Sequence, residues 1–179
     1  MLFFTNFGRV YRLKAYEIPE YGRTAKGLPI VNLLKLEDGE TIQTIINARK
    51  EETAGKSFFF TTKQGVVKRT EVSEFNNIRQ NGLRALNLKE GDQLINVLLT
   101  DGQDDIIIGT QSGYSVRFNE ASIRNMGRSA TGVRGVKLRE EDRVVGASRI
   151  QDKQEVLVIT ENGYGKRTSA TEYLSLIHI

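Results

Sequence analysis

The chain has 179 residues, 39% of them hydrophobic and 27% charged, which excludes a disordered segment; its apolar runs, such as Ile106-Ile107-Ile108, fall far short of the roughly 20 residues of a membrane span, so no membrane partner is expected. There is no cysteine and the single histidine is His178, which excludes disulfides, thiol chemistry, ordinary zinc sites and most histidine-based catalysis. Twenty-six Lys and Arg against 22 Asp and Glu give a net charge of +4, an excess that permits a nucleic-acid partner without demanding one.

In chain order, the same local pattern returns four times. An apolar run (Leu2-Phe3-Phe4, Phe58-Phe59-Phe60, Ile106-Ile107-Ile108, Val156-Leu157-Val158-Ile159) leads into a turn closed by Gly8, Gly65, Gly113 or Gly163. A basic, β-prone run follows each: Val10 to Lys14, Val66 to Arg69, Ser115 to Phe118, Gly165 to Thr168. Strand, short turn with glycine, strand is a hairpin pattern, and the glycine supplies the positive φ of the turn. The turn glycines are spaced by 57, 48 and 50 residues.

A second landmark, Gly-(Leu/Val)-x-x-(Val/Leu)-x-Leu, recurs at Gly27 to Leu33, Gly82 to Leu88 and Gly132 to Leu138. An acidic turn and a further apolar strand come after it, beginning near Ile42, Leu94 and Val144. Each unit thus offers about four short strands, with brief helical turns only near Val72 to Phe75 and Ala121 to Ile123. A four-stranded unit repeated every 50 residues or so predicts an all-β, propeller-like ring of stacked blades, because one sheet cannot cover both of its own faces. The predicted units are approximately 1–55, 56–104, 105–154 and 155–173, about three and a half blades of one partial ring. An ordinary β-sandwich is the alternative, but it lacks a regular internal repeat. The final Leu174 to Ile179 departs from the repeat and is expected to be a non-native tail.

Four residues after each turn glycine stands an arginine: Arg12, Arg69, Arg117 and Arg167. They read either as a solvated, acid-paired strand face or as part of a binding surface. The loops before the second landmark mix basic residues with Gly, Ser, Thr and Asn, and carry Arg23 and Lys26, Arg79 and Arg84, and Arg128 and Arg134. Glycine permits close approach to a phosphate, small polar groups donate to it, and arginine grips it bidentately. Three such loops in register would form a basic track along one rim. No catalytic constellation is visible. Asp101, Asp104 and Asp105 lack calcium-loop spacing, so no metal is expected.

The landmarks together resemble the C-terminal domains of the A subunits of bacterial type IIA topoisomerases, DNA gyrase and topoisomerase IV. The residues that carry the likeness are Gly22-Arg23-Thr24-Ala25-Lys26-Gly27-Leu28-Pro29-Ile30-Val31-Asn32-Leu33-Leu34, Gly65-Val66-Val67-Lys68-Arg69-Thr70, Met126 to Val136, and Gly163-Tyr164-Gly165-Lys166-Arg167-Thr168. The Arg23 to Gly27 run favours gyrase. The resemblance implies a β-pinwheel, a propeller variant in which a strand passes between neighbouring blades. It implies duplex DNA as partner, bent around the basic rim to support ATP-dependent negative supercoiling. DNA contacts are then expected from Arg23, Lys26, Arg79, Arg84, Arg128 and Arg134, with Arg69 and Arg167 in support. It also implies a cytoplasmic, nucleoid-associated protein working with the rest of the A subunit, and with the B subunit. No catalytic residue and no cofactor are expected in this chain; ATP and magnesium would serve other domains. The heptapeptide ending Gly-Gly-Lys-Gly that marks the first gyrase blade is absent. A propeller-type protein-interaction scaffold is the competing reading.

Overall fold

The apolar triplets and turn glycines build hairpins stacked face to face. The computed structural model describes residues 1–173, and the tail expectation for 174–179 lies outside the described residues. The strands are β1 (Leu2–Thr5), β2 (Arg9–Arg12), β3 (Ile42–Ile46), β4 (Ser57–Thr62), β5 (Val66–Glu71), β6 (Leu83–Arg84), β7 (Leu94–Thr100), β8 (Asp105–Thr110), β9 (Ser115–Asn119), β10 (Val133–Arg134), β11 (Val144–Ile150), β12 (Glu155–Ile159) and β13 (Gly165–Ser169). Helix among the described residues is confined to one turn, α1 (Lys50–Thr53), and to short 3₁₀ turns. Two of the latter, Val72–Phe75 and Glu120–Ser122, lie where brief helices are expected from the sequence.

The strands form antiparallel sheets ordered β3-β1-β2-β6, β10-β5-β4-β7, β11-β8-β9 and β12-β13. Two of these contain a strand from the next repeat. Leu83 and Arg84 pair with Val10 and Arg9 of the first blade, and Val133 and Arg134 pair with Val67 and Val66 of the second. This is the strand exchange of a β-pinwheel. The transfer is anchored at the turn glycines. The Gly8 carbonyl accepts from the N–H groups of Ala85 (2.8 Å) and Leu86 (3.3 Å), and the Gly65 carbonyl from those of Gly135 (2.9 Å) and Val136 (3.3 Å). All four turn glycines have the expected positive φ, between 72° and 83°.

Sandwiching explains why the Phe58-Phe59-Phe60 run is apolar at every position rather than alternating. Phe58 and Phe60 face the first blade and join Leu2, Phe4, Val10, Phe75, Leu86 and Leu94 in one core. Phe59 faces the other way, into a core with Val67, Ile106, Ile108, Phe118 and Val144. The Phe4 and Phe58 rings meet edge-on at 5.1 Å and Phe58 and Phe75 at 5.3 Å, the favoured geometry for aromatic pairs.

The first landmark behaves differently from its two copies. Residues 27–33 form no strand; Ile30–Asn32 is a 3₁₀ turn, and Ile30 and Leu33 pack on the first blade's outer core of Phe3, Tyr11, Leu13 and Leu34. Among the described residues there is no preceding blade edge to receive them.

The acidic turns are structural. Asp92 Oδ1 accepts from the N–H of Gln64 (2.9 Å) and of Gln93 (2.8 Å), and Asp142 Oδ1 from that of Ser112 (3.0 Å) and of Arg143 (2.8 Å). Burial works to raise the Asp142 carboxyl, but the hydrogen bonds it accepts, among them those from the N–H groups of Ser112 and Arg143, hold it below its usual range. Each acid therefore caps the hairpin turn of its own blade.

Candidate nucleic-acid interface

The arginines four residues after the turn glycines clasp neighbouring parts of the fold. Arg12 donates to the carbonyls of Phe75 and Asn76, each at 2.9 Å, in the 3₁₀ turn of the next unit. Arg69 donates from Nε to Asn125 Oδ1 (3.0 Å) and from Nη1 to the Gly102 carbonyl (3.3 Å). Arg117 holds Asp105 through Nε and Nη2, Asp152 through Nη2 at 2.6 Å, and the Ala170 carbonyl through Nη1 at 3.0 Å. The hydrogen bonds to Asp152 and Asp105 keep its guanidinium charged with a raised pKa. Three times, an arginine on one blade ties down the 3₁₀ turn or its flank in the next. Of the two residues expected in support of DNA contact, Arg69 thus sits in a joint with its side chain 13% exposed. Arg167 is 70% exposed and pairs with Glu155 at 2.8 Å.

The loop residues are placed differently. Arg23, Lys26, Arg79 and Arg134 are exposed, and among the described residues their side chains make no hydrogen bond or ion pair. Arg84 and Arg134 occupy equivalent positions, the second residue of β6 and of β10, so each exchanged strand presents one exposed arginine at the junction it spans. The first landmark carries Pro29 at that position. Arg9, the register partner of Arg84, is neutralised by Glu37, which keeps the like-charge pair tolerable.

Arg84 and Arg128 are brought close together by the chain between them. Arg84 Nη1 donates to Asn87 Oδ1 (2.9 Å), and Asn87 Nδ2 donates to the Ser129 carbonyl (2.5 Å). Asn87 N–H reaches the Ala130 carbonyl at 3.3 Å. Arg128 is half-buried; its Nε lacks a hydrogen-bond partner and stands 3.8 Å from Glu74. No contact joins Arg23 or Lys26 to the other candidates among the described residues.

Lys68, visible in the sequence only as a basic neighbour of Arg69 in the run after Gly65, has a role that its position in the repeat does not announce. It is fully buried, and its ammonium donates to the carbonyls of Ala85 (2.5 Å), Arg128 (2.8 Å) and Gly127 (3.3 Å) while lying 5.1 Å from the centre of the Phe60 ring. Burial, then the Arg128 charge, lower its pKa to about 7, with Glu74 opposing. Strand parity is the signal that could have found it: Lys68 pairs with Phe60 in register, on the face that Phe58 also uses.

Asp101, Asp104 and Glu120 bring carboxylate oxygens within 4.8 Å of one another. Glu120 is fully buried, and its oxygens already accept from Thr100 Oγ1 and from the N–H groups of Gly102 and Asp104. Asp105 is turned away to Arg117. No helix among the described residues is long and apolar enough to cross a membrane.

A family model described as the DNA gyrase C-terminal domain, a β-propeller, matches residues 1–49, 56–101, 104–151 and 154–176. The chain belongs to that family. Over 131 residues it is 96% identical to the DNA gyrase A subunit of Streptococcus pyogenes and 68% identical to that of Streptococcus pneumoniae; each match covers 73% of this chain and 16% of the relative. The chain thus spans about a sixth of the length of these relatives. Among solved structures it is similar to the C-terminal domain of DNA topoisomerase IV, with a TM-score of 0.90, 31% identity and coverage of 99% of this chain and 55% of the other. A DNA gyrase A C-terminal domain gives 0.81 at 28% identity, over 99% and 56%. The exchanged strands of this gyrase-family domain are accordingly those of the pinwheel expected from sequence, and the gyrase side of the resemblance is the one its relatives carry.

Proposed function

We propose that this gyrase-family domain binds duplex DNA along the line of its blade junctions and bends it, presenting the wrapped segment to the rest of a type IIA topoisomerase for ATP-dependent negative supercoiling. The observation that carries the reading is the repetition of an exposed arginine, Arg84 and then Arg134, at the same register of successive exchanged strands. Bending a site of 20–30 base pairs by 40–90° costs on the order of 1–6 kcal/mol, and phosphate contacts spread at blade spacing offset it. Arg23, Lys26, Arg79 and Arg128 extend the set, with Arg167 at its end; Arg69 supports it from the joint. The domain works within an A subunit, together with a B subunit, in the cytoplasm at the nucleoid. It is itself non-catalytic and uses no cofactor; ATP and magnesium act on other domains.

The test is a mobility-shift titration of the chain with duplex DNA at several salt concentrations. Binding indifferent to sequence is expected, with log K falling by about 0.9 per phosphate neutralised for each unit of log salt. Changing Arg23, Lys26, Arg79, Arg84, Arg128 and Arg134 together to Glu abolishes it while the strand signal in circular dichroism is kept. If that variant binds with an unchanged salt slope, the rim reading fails and the protein-interaction scaffold takes its place.

A further inference from the structure

We propose that Lys68 is the positioning residue of the rim: its buried ammonium fixes the distance between Arg84 on one exchanged strand and Arg128 in the loop leading to the next. This rests on the DNA-binding reading above for its function, though not for its geometry.

The three carbonyls it holds come from two different repeats. Ala85 follows Arg84 directly, and the Arg128 carbonyl belongs to the second candidate itself. An ammonium has three N–H donors and no acceptor, and here each has one carbonyl to meet, so the cage is complete for the charged form. Among the described residues no carboxylate touches Lys68, so the group is not one half of an ion pair. Its neighbours on the packed elements are Arg128 and Glu74, both charged and neither side chain within hydrogen-bond distance of Nζ. A buried ammonium without a counter-ion is costly to desolvate, so it is poorly placed if stability is its whole purpose. What the charge does here is bind backbone to backbone across a junction. Asn87 makes the second tie, to Ser129, so the loop is held at two points. Loops carrying charged contacts are ordinarily mobile, and this pair of ties removes that freedom where two phosphate-binding groups must keep a fixed spacing.

The experiment uses Lys68→Met, which keeps length and apolar bulk. Amide exchange read without DNA tests the geometry. Met126 N–H, bonded to the Arg69 carbonyl, and Ala130 N–H, bonded to that of Gly127, should exchange about tenfold faster, while β4 amides keep their protection. With DNA, Kd should rise about tenfold with Tm unchanged or raised, a split that a merely structural lysine would not produce. In combination with Arg128→Ala the two losses should be far from additive, since one acts through the other. Should Lys68→Met fail to fold, Asn87→Ala severs the upper tie and should loosen Ala130 in the same way. Unchanged exchange at Met126 and Ala130, or additive losses of affinity, would overturn the proposal. If wild type binds no DNA while exchange rises as stated, the DNA reading falls and the positional role of Lys68 stands.

Discussion

Gly65 and Val136 meet across the junction of the second and third repeats so closely that a Cβ on Gly65 would stand 2.7 Å from Val136 Cγ1 and 3.0 Å from the Val136 carbonyl oxygen. Gly113, its counterpart one repeat on, has a left-handed φ of 83° as well, but nothing within 4 Å of the added atom. The two positions separate backbone strain from crowding. Gly113→Ala should cost about 1–2 kcal/mol for the left-handed conformation alone. Gly65→Ala should cost that plus the displacement of the exchanged strand, about 3 kcal/mol or more in all. Urea unfolding of both variants gives the comparison; equal losses would mean that the exchanged strand is not seated as described.

Arg117 carries the junction to the fourth unit. Its side chain is 9% exposed, and it holds Asp105, Asp152 and the Ala170 carbonyl at once. Arg117→Ala removes the cation from Asp105, which is partly exposed and keeps the hydrogen bond from Asn119, and should destabilise by about 1.5–3 kcal/mol. Arg117→Lys should not restore stability, because an ammonium cannot reproduce the fork. Thermal unfolding measures the loss, and amide exchange over β12 and β13 shows whether it falls there first.

Lys68 gives stability a pH dependence of definite sign. Its folded value, about 7, lies below the 10.5 of the free side chain. Between those values the unfolded chain binds more protons, so stability from this group rises with pH from about 7 to about 10.5 and is flat below 7. The full contribution is on the order of 5 kcal/mol. The difference in unfolding free energy between wild type and Lys68→Met, followed from pH 6 to 10, should show that slope. A difference independent of pH would contradict a buried, proton-binding Lys68.

Tyr11 shows the opposite sign. Its hydroxyl donates to the Lys35 carbonyl at 2.8 Å, and burial followed by the Glu40 charge raises its pKa to about 12. The unfolded phenol ionises near 10, so this contribution holds below pH 10 and is lost as pH climbs toward 12. In ultraviolet titration of the folded chain one of the six tyrosines should ionise about two units late, and Tyr11→Phe should remove that phase.

Arg134 and Arg69 provide a paired test of rim against joint. Arg134→Ala should leave stability within about 0.5 kcal/mol of wild type and reduce the salt slope of DNA binding by about 0.9. Arg69→Ala should lower Tm, because it releases Asn125 and Gly102 from the junction. The reverse pattern would exchange their roles.

The repeat made much of this legible. Turn glycines recur because every hairpin needs the same positive φ; the apolar triplets of the first three units recur because each strand is covered on both faces, and the acidic turns of the second and third because each hairpin there needs the same cap. The ownership of the exchanged strands was not legible from periodicity: β6 and β10 are two residues long, and a pair of residues has no measurable period. Resemblance implied that some strand is exchanged; that β6 and β10 are the ones is fixed only by their pairing with β2 and β5. The recurring arginines were visible as a row, but recurrence at blade spacing suits a joint as well as a ligand surface, and only the positions of Asn125 and Ala170 distinguish the two. Asp142 and its equivalent Asp92 stand in turns that sequence makes look solvated, because the N–H groups they satisfy lie some 30 residues away.

The strand transfer separates the unit that is repeated in sequence from the unit that folds as a sheet. Excising residues 56–104 would remove β4, β5 and β7, and with them the β6 that closes the first sheet. Yet the first sheet would not be left open, because Gly135 and Val136 approach the Gly65 carbonyl as Ala85 and Leu86 approach that of Gly8, to within 0.1 Å. The next repeat therefore carries an interchangeable plug, and the molecule can lose or gain a whole period without any new edge chemistry. Blade number becomes a matter of copying, set by how many periods are strung together.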